Sequence, residues 1–110
     1  MKTDAETRAE TKQMLIETIE EWMAFLKYDV AAWEALREIE EAEEGHRHLG
    51  TVYEEIGSAL ESGYLTMEEV APYIKEADEL RARLPAKGRP ARMTRAQWEE
   101  VLRKDNKHQG

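Results

Sequence analysis

The sequence predicts an all-α fold, either a small helical bundle or a long helical hairpin with a short docked C-terminal helix. Apolar residues recur at steps of three and four along residues 4–84, which is the spacing of one face of a helix. No segment shows the alternation of apolar and polar residues that is typical of a half-buried strand. Two stretches, 66–69 and 94–97, have the Thr-x-x-Glu/Gln pattern of a capping box, which marks a helix N-terminus.

The first element covers residues 4–44, which contain no Pro and no Gly. We expect either one helix of about 40 residues or two helices that meet near Lys27, with Asp29 as the N-cap of the second. A compact domain of this size favours the break. The apolar face of this element consists of Leu15, Ile19, Trp22, Leu26, Val30, Trp33, Leu36 and Ile39.

Two further helices are predicted over 46–61 and 67–84. Gly45, Gly50 and Gly57 weaken the first of them, but glycines also let another element approach closely. A stop at Ser62-Gly63 precedes the capping box of the second. These helices and the preceding element form an acidic helical body that spans residues 1–84.

The C-terminal part is predicted as a basic Pro/Gly linker over 85–94, a short amphipathic helix over 95–104 and a frayed tail over 105–110. A helix of about ten residues is too short to persist alone in water, so it must dock on the body, on a second copy or on a partner. We therefore predict a partner-binding site made of the apolar face and the preceding basic residues, namely Trp98, Val101, Leu102, Arg92 and Arg95.

The charge is divided unequally along the chain. Residues 1–84 hold 9 Lys/Arg and 21 Asp/Glu, whereas residues 85–110 hold 7 Lys/Arg and 3 Asp/Glu. The absence of cysteine excludes disulfides and thiolate chemistry. No apolar run is long enough for a membrane span and the acidic start does not resemble a signal peptide, so we expect a cytoplasmic protein. The scarcity of Leu-rich core predicts a homo-oligomer, most simply a homodimer.

A metal site is one alternative function. The stretch 36–46, with Glu43 three residues before His46, resembles the second-helix segment of rubrerythrin and other ferritin-like proteins. The resemblance implies iron or manganese bound by Glu43 and His46 in a dimer, since the chain has a single Glu-x-x-His. It also requires a carboxylate from another helix, for which the candidates are Glu17, Glu20 and Glu21. The alternative without a metal is that His46 and His48 are surface histidines near a helix break.

DNA binding is a second alternative. Residues 65–74 are similar to the opening helix of excisionase-type helix-turn-helix modules, and 84–86 and 98–102 resemble the wing entry and closing helix of that module. The resemblance implies a degenerate DNA-binding regulator. The recognition helix has no counterpart, because three acidic residues lie within 75–80, where phosphate contacts are needed. We therefore expect no direct binding to nucleic acid.

The function predicted first is a non-enzymatic protein-binding module without a cofactor. The chain has no phosphate-binding loop and no nucleophile elbow. Carboxylates along helices can imitate the phosphates of DNA and occupy a basic groove. The sequence thus favours an adaptor or inhibitor of the kind that phages direct against host defence or host machinery, acting on a basic, nucleic-acid-handling protein.

Overall fold

Within residues 3–90 the chain forms three α-helices, which confirms the predicted all-α bundle. The structure is a computed structural model and describes residues 3–90 together with Trp98 and Glu100. The helices are α1 (Asp4–Leu36), α2 (Ile39–Glu61) and α3 (Met67–Arg83), and the described residues contain no strand. None of the described helices is both long enough and apolar enough to cross a membrane.

The break in the long N-terminal element lies at Arg37 and Glu38, so the prediction of a break near Lys27 is wrong. The helix α1 begins at the Thr3 N-cap and runs without interruption for 33 residues. It ends because Arg37 adopts a left-handed conformation (φ 59°), and the Arg37 guanidinium lies 5.3 Å from the centre of the Trp33 ring. Asp29 is not an N-cap but a buried residue within α1.

The chain reverses direction at each connection, so α2 runs antiparallel to α1 and α3 returns alongside both. All three pairs of helices are in contact, and the most extensive packing is between α1 and α2. Because each helix turns one apolar stripe inward, the three stripes close a single core. The buried core residues include Ile19, Met23, Leu26 and Val30 from α1, Leu49, Val52, Ile56 and Leu60 from α2, and Val70, Ala77 and Leu80 from α3.

The predicted end of α2 and start of α3 are confirmed. The last residue of α2 is Glu61, and Gly63 turns the chain with a positive φ of 76°. The Thr66 side chain accepts a hydrogen bond from the Glu69 N–H, and the Glu69 side chain accepts one from the Thr66 N–H. This reciprocal pair satisfies backbone donors that a helix N-terminus otherwise leaves open.

Ion pairs join the outer edges of α1 and α3. They follow one another along both helices in the same order, so α3 runs parallel to α1. Exposed pairs of this kind stabilise a protein by ~1 kcal/mol or less each, so their main consequence is to set the register. The pairs are Lys12–Glu69, Lys27–Glu76 and Glu34–Arg83.

Candidate interaction surfaces

Trp98, the central residue of the predicted partner-binding site, is buried within the chain. Its exposed fraction is 2%, and its ring packs against Tyr53 (6.4 Å between ring centres) and beside Gly57. The indole N–H has no hydrogen-bond partner among the described residues. The sequence left three docking sites open for this segment, namely the body, a second copy and a partner. Trp98 docks on the body of its own chain. The other predicted site residues, Val101, Leu102, Arg92 and Arg95, lie outside the described residues.

The segment that follows α3 is held against α2 and α3 by hydrogen bonds to backbone carbonyls. His46 Nε2 donates to the Pro85 carbonyl (3.0 Å), and Arg89 donates to the carbonyls of residues 84 and 85. Gly45 permits the close approach, because a Cβ atom there would lie 2.9 Å from the Leu84 side chain. We expected a glycine in this helix to admit another helix, whereas the residue that approaches Gly45 is Leu84, which directly follows α3.

The candidate metal ligands lie on two helices, with Glu43 and His46 on α2 and Glu20 on α1. Glu43 is exposed on α2, His46 Nε2 is engaged by the Pro85 carbonyl, and Glu20 on α1 lies beside Tyr73 of α3. Burial and, after it, the Glu20 carboxylate raise the pKa of the Tyr73 hydroxyl. Within the described part of the chain, no group of three or more His, Asp or Glu side chains is arranged to hold a metal ion.

His48 is a structural residue rather than a surface histidine, so that expectation is wrong for His48. Its Nδ1 donates a hydrogen bond to the carboxylate of Asp29, which is only 6% exposed. The imidazole ring stacks on Phe25 and lies against Trp22, each at 5.6 Å between ring centres. An aspartate within the apolar stripe of a helix was the available signal, since a buried carboxylate requires a hydrogen-bond donor.

The region similar to a helix-turn-helix opening is one uninterrupted helix. Residues 67–83 form α3 without the turn that such a module needs between its first and second helices. Two of the three acidic residues in 75–80 have partners within the bundle, since Asp78 accepts a hydrogen bond from the Tyr53 hydroxyl (2.6 Å) and Glu76 pairs with Lys27. The third, Glu79, is exposed.

An acidic ridge runs along the outer side of α2. We define it by its exposed residues Glu40, Glu43, Glu54 and Glu61. They extend over 21 residues, or about 30 Å of helix. The single Lys or Arg of α2 is Arg47, and its guanidinium pairs with Glu44. The ridge therefore presents carboxylates to solvent with no basic side chain of α2 left over to neutralise them.

A second exposed surface, the α1 outer face, is apolar. We define it by Phe25, Tyr28, Ala32, Ala35 and Leu36, whose spacing places them on one side of the helix. Ala32 is half-buried and the other four are exposed. Tyr28 is 72% exposed and Leu36 is 58% exposed. The sequence predicts a single apolar stripe for this helix and places Leu36 on it, which is wrong because Leu36 is exposed. Phe25 and Tyr28 are not part of the predicted stripe. The signal was a second set of apolar residues at helical spacing, out of phase with the first.

Comparison of the chain with protein-family models, with curated proteins and with solved structures gives no match. These two surfaces, one acidic and one apolar, are therefore the basis on which a function is proposed.

Proposed function

We propose that this protein is a non-enzymatic protein-binding module, an adaptor or inhibitor of the kind that phages direct against host proteins. Its acidic ridge engages a basic protein that handles nucleic acid. The observation that carries the proposal is the row of exposed carboxylates on α2, which has seven Glu and one Arg. Such a row attracts a groove lined by Lys and Arg and speeds the encounter with it.

The fold supports the ridge at little energetic expense. Glu40 lies in the first turn of α2, where the positive end of the helix dipole stabilises a carboxylate. Because the opposite side of the helix supplies Leu49, Val52 and Ile56 to the core, the ridge is held on a rigid element. A preorganised charged surface loses little conformational entropy when a partner binds.

Among the described residues, His46, His48 and Tyr53 have structural partners, which favours binding over catalysis. His46 holds the Pro85 carbonyl and His48 holds the Asp29 carboxylate. Tyr53 donates to Asp78 and contacts Trp98. These groups tie elements of the bundle together, so a catalytic role for any of them would compete with its role in packing.

The test compares two variants of equal net charge. In the ridge variant, Glu40, Glu43, Glu54 and Glu61 become Gln. In the matched control, four exposed carboxylates on α1 and α3 become Gln, namely Glu17, Glu21, Glu68 and Glu79. Proteins captured from a bacterial lysate by the unmodified chain are identified, and the affinity of each variant for a captured protein is measured by calorimetry.

We expect the captured protein to be basic and to be released by duplex DNA. Its affinity should fall about tenfold or more for the ridge variant and change little for the control, which corresponds to ~1.4 kcal/mol or more. Affinity should also fall as salt is raised from about 50 to 500 mM. Equal losses for both variants, or binding that salt leaves unchanged, would contradict the proposal.

A further inference from the structure

We propose that the α1 outer face is a self-association surface, on which α1 of one copy packs antiparallel against α1 of a second copy. This inference is independent of the proposed function, because the acidic ridge lies on the outer side of a different helix. A dimer formed in this way leaves both ridges exposed, so one assembly presents two acidic surfaces.

The first observation is the lack of free charge on the face. Between residues 22 and 36, α1 carries the charged side chains Lys27, Asp29 and Glu34. Asp29 is buried against His48, and the other two pair with Glu76 and Arg83 of α3. In a chain with 36% charged residues, an exposed stretch of this kind is distinctive, since solvated helix faces normally carry charges.

The second observation is that the face complements itself in one orientation. Phe25 and Tyr28 are bulky, whereas Ala32 and Ala35, at steps of four and three beyond them, are small. Antiparallel pairing about a twofold axis near residue 30 places Tyr28 opposite Ala32 of the second copy and Phe25 opposite Ala35. Leu36 then lies opposite Ala24, which is also exposed. Parallel pairing would set each aromatic ring against its own copy.

This spacing is also the one that two packed helices need. Residues 25, 28, 32 and 35 follow steps of three, four and three, the repeat of a seam between helices that cross at a shallow angle. Because Ala32 and Ala35 of one copy lie opposite the bulky residues of the other, the backbones can approach to about 8–10 Å. The twofold symmetry makes every bulky-on-small contact occur twice.

The exposed area is sufficient for a specific dimer. Phe25, Tyr28, Leu36 and the neighbouring Ile39 are 48–72% exposed. At about 200 Å² for a fully exposed large side chain, they present roughly 450 Å² of mainly apolar surface. A biological interface needs about 500 Å² per partner. The exposed alanines around these side chains supply the remaining area. A patch of this size is comparable to the largest apolar patch of a typical monomer, and such patches often mark a binding surface.

A second copy fits the face better than a basic partner does. A basic helix would gain no electrostatic attraction from the middle of the face, because its charges are already paired. At its ends, Glu21 of one copy meets Arg37 and Glu38 of the other, so one carboxylate at each end stays without an opposite charge. The two chains repel through their net charge of −8 each, and this repulsion is screened by salt. Self-association should therefore strengthen with salt, opposite to binding at the ridge.

The experiment measures mass by sedimentation equilibrium from about 10 μM to 1 mM, at about 50 and 500 mM salt. We expect a reversible dimer of the 12.8 kDa chain, tighter at the higher salt. Tyr28→Lys should weaken it about tenfold or more. The matched control is Met14→Lys, which changes an exposed apolar residue of the same helix outside the proposed interface and should have little effect.

Two further variants test the register. Ala32→Tyr makes the face more apolar but sets a ring against Tyr28 of the second copy, so it should weaken the dimer about tenfold. Combining Ala32→Tyr with Tyr28→Ala restores bulky-on-small pairing and should recover most of the affinity. The ridge variant with four Glu→Gln changes should dimerise at least as well as the unmodified chain, which separates this proposal from the preceding one.

A chain that stays monomeric to about 1 mM at both salt concentrations would overturn the proposal. Tighter association of Ala32→Tyr would overturn it too, since it would indicate nonspecific apolar contact. In a third outcome, the chain alone stays monomeric while Tyr28→Lys abolishes capture of a basic protein. That result would show that the face binds a partner and would overturn self-association. Circular dichroism of each variant checks that the helices are retained.

Discussion

Removing the Trp98 side chain should destabilise the bundle by about 2 kcal/mol. Truncating a buried Trp to Ala in a protein core costs about 3–5 kcal/mol. The indole N–H of Trp98 has no partner among the described residues, and a buried unpaired donor costs about 1–3 kcal/mol in the folded state. Because Trp98→Ala also removes that donor, the net loss should be smaller than for a typical core tryptophan.

The matched comparison is Trp98→Phe. Phenylalanine keeps most of the ring packed on Tyr53 and beside Gly57 but has no N–H group, so we expect a change below about 1.5 kcal/mol. The assay is urea unfolding followed by far-ultraviolet circular dichroism, with the free energy of unfolding extrapolated to water. If Trp98→Ala lies within about 0.5 kcal/mol of the unmodified chain, Trp98 does not anchor the C-terminal segment and the reasoning is refuted.

Two other predictions concern polar links between helices. In a double-mutant cycle, His48→Ala should cost about 3 kcal/mol because it leaves the buried Asp29 carboxylate without its donor, while Asp29→Ala should cost less. The two losses should not add, and a coupling energy below about 0.5 kcal/mol in urea unfolding would refute the link. The hydrogen bond from Arg83 lowers the pKa of Glu34 below its ordinary value of 4.5. The pair therefore stabilises the fold fully above pH 4.5, and this stabilisation is lost as the pH falls through the lowered pKa of Glu34. The difference in melting temperature between the unmodified chain and Glu34→Gln should therefore shrink on acidification below pH 4.5, and an unchanged difference would contradict this assignment.

Features that depend on a few neighbouring residues could be predicted from the sequence. The capping box at Thr66 and Glu69 forms because a side chain and a backbone N–H three residues apart meet in any helix start. The turn at Gly63 forms because glycine adopts positive φ without steric penalty. The inward residues Ile19, Leu26 and others at the same spacing were identified because periodicity reports which side of a helix is apolar.

The residue at which α1 ends could not be predicted from neighbouring residues in the sequence. No residue type marks it, since Arg37 is not one of the residues that usually adopt positive φ. The break falls there because α2 must fold back to bury its own stripe against α1, and packing compensates the local strain. The role of Asp29 could not be predicted either. Its hydrogen-bond donor, His48, is nineteen residues away in sequence and becomes a neighbour only when the helices pair.

The sequence by itself determined that this chain is helical, where α3 begins, that residues such as Ile19 and Leu26 share one apolar stripe of α1, and that the body is acidic. Local geometry and side-chain periodicity are sufficient for each of these. The tertiary structure decided which carboxylates are neutralised within the bundle, where Trp98 docks and which apolar residues of α1 stay outside. Since α1 is apolar on two sides, periodicity cannot tell which side faces the core. The packing of α2 and α3 against Ile19 and Leu26 resolves that choice and leaves Phe25 and Tyr28 to solvent.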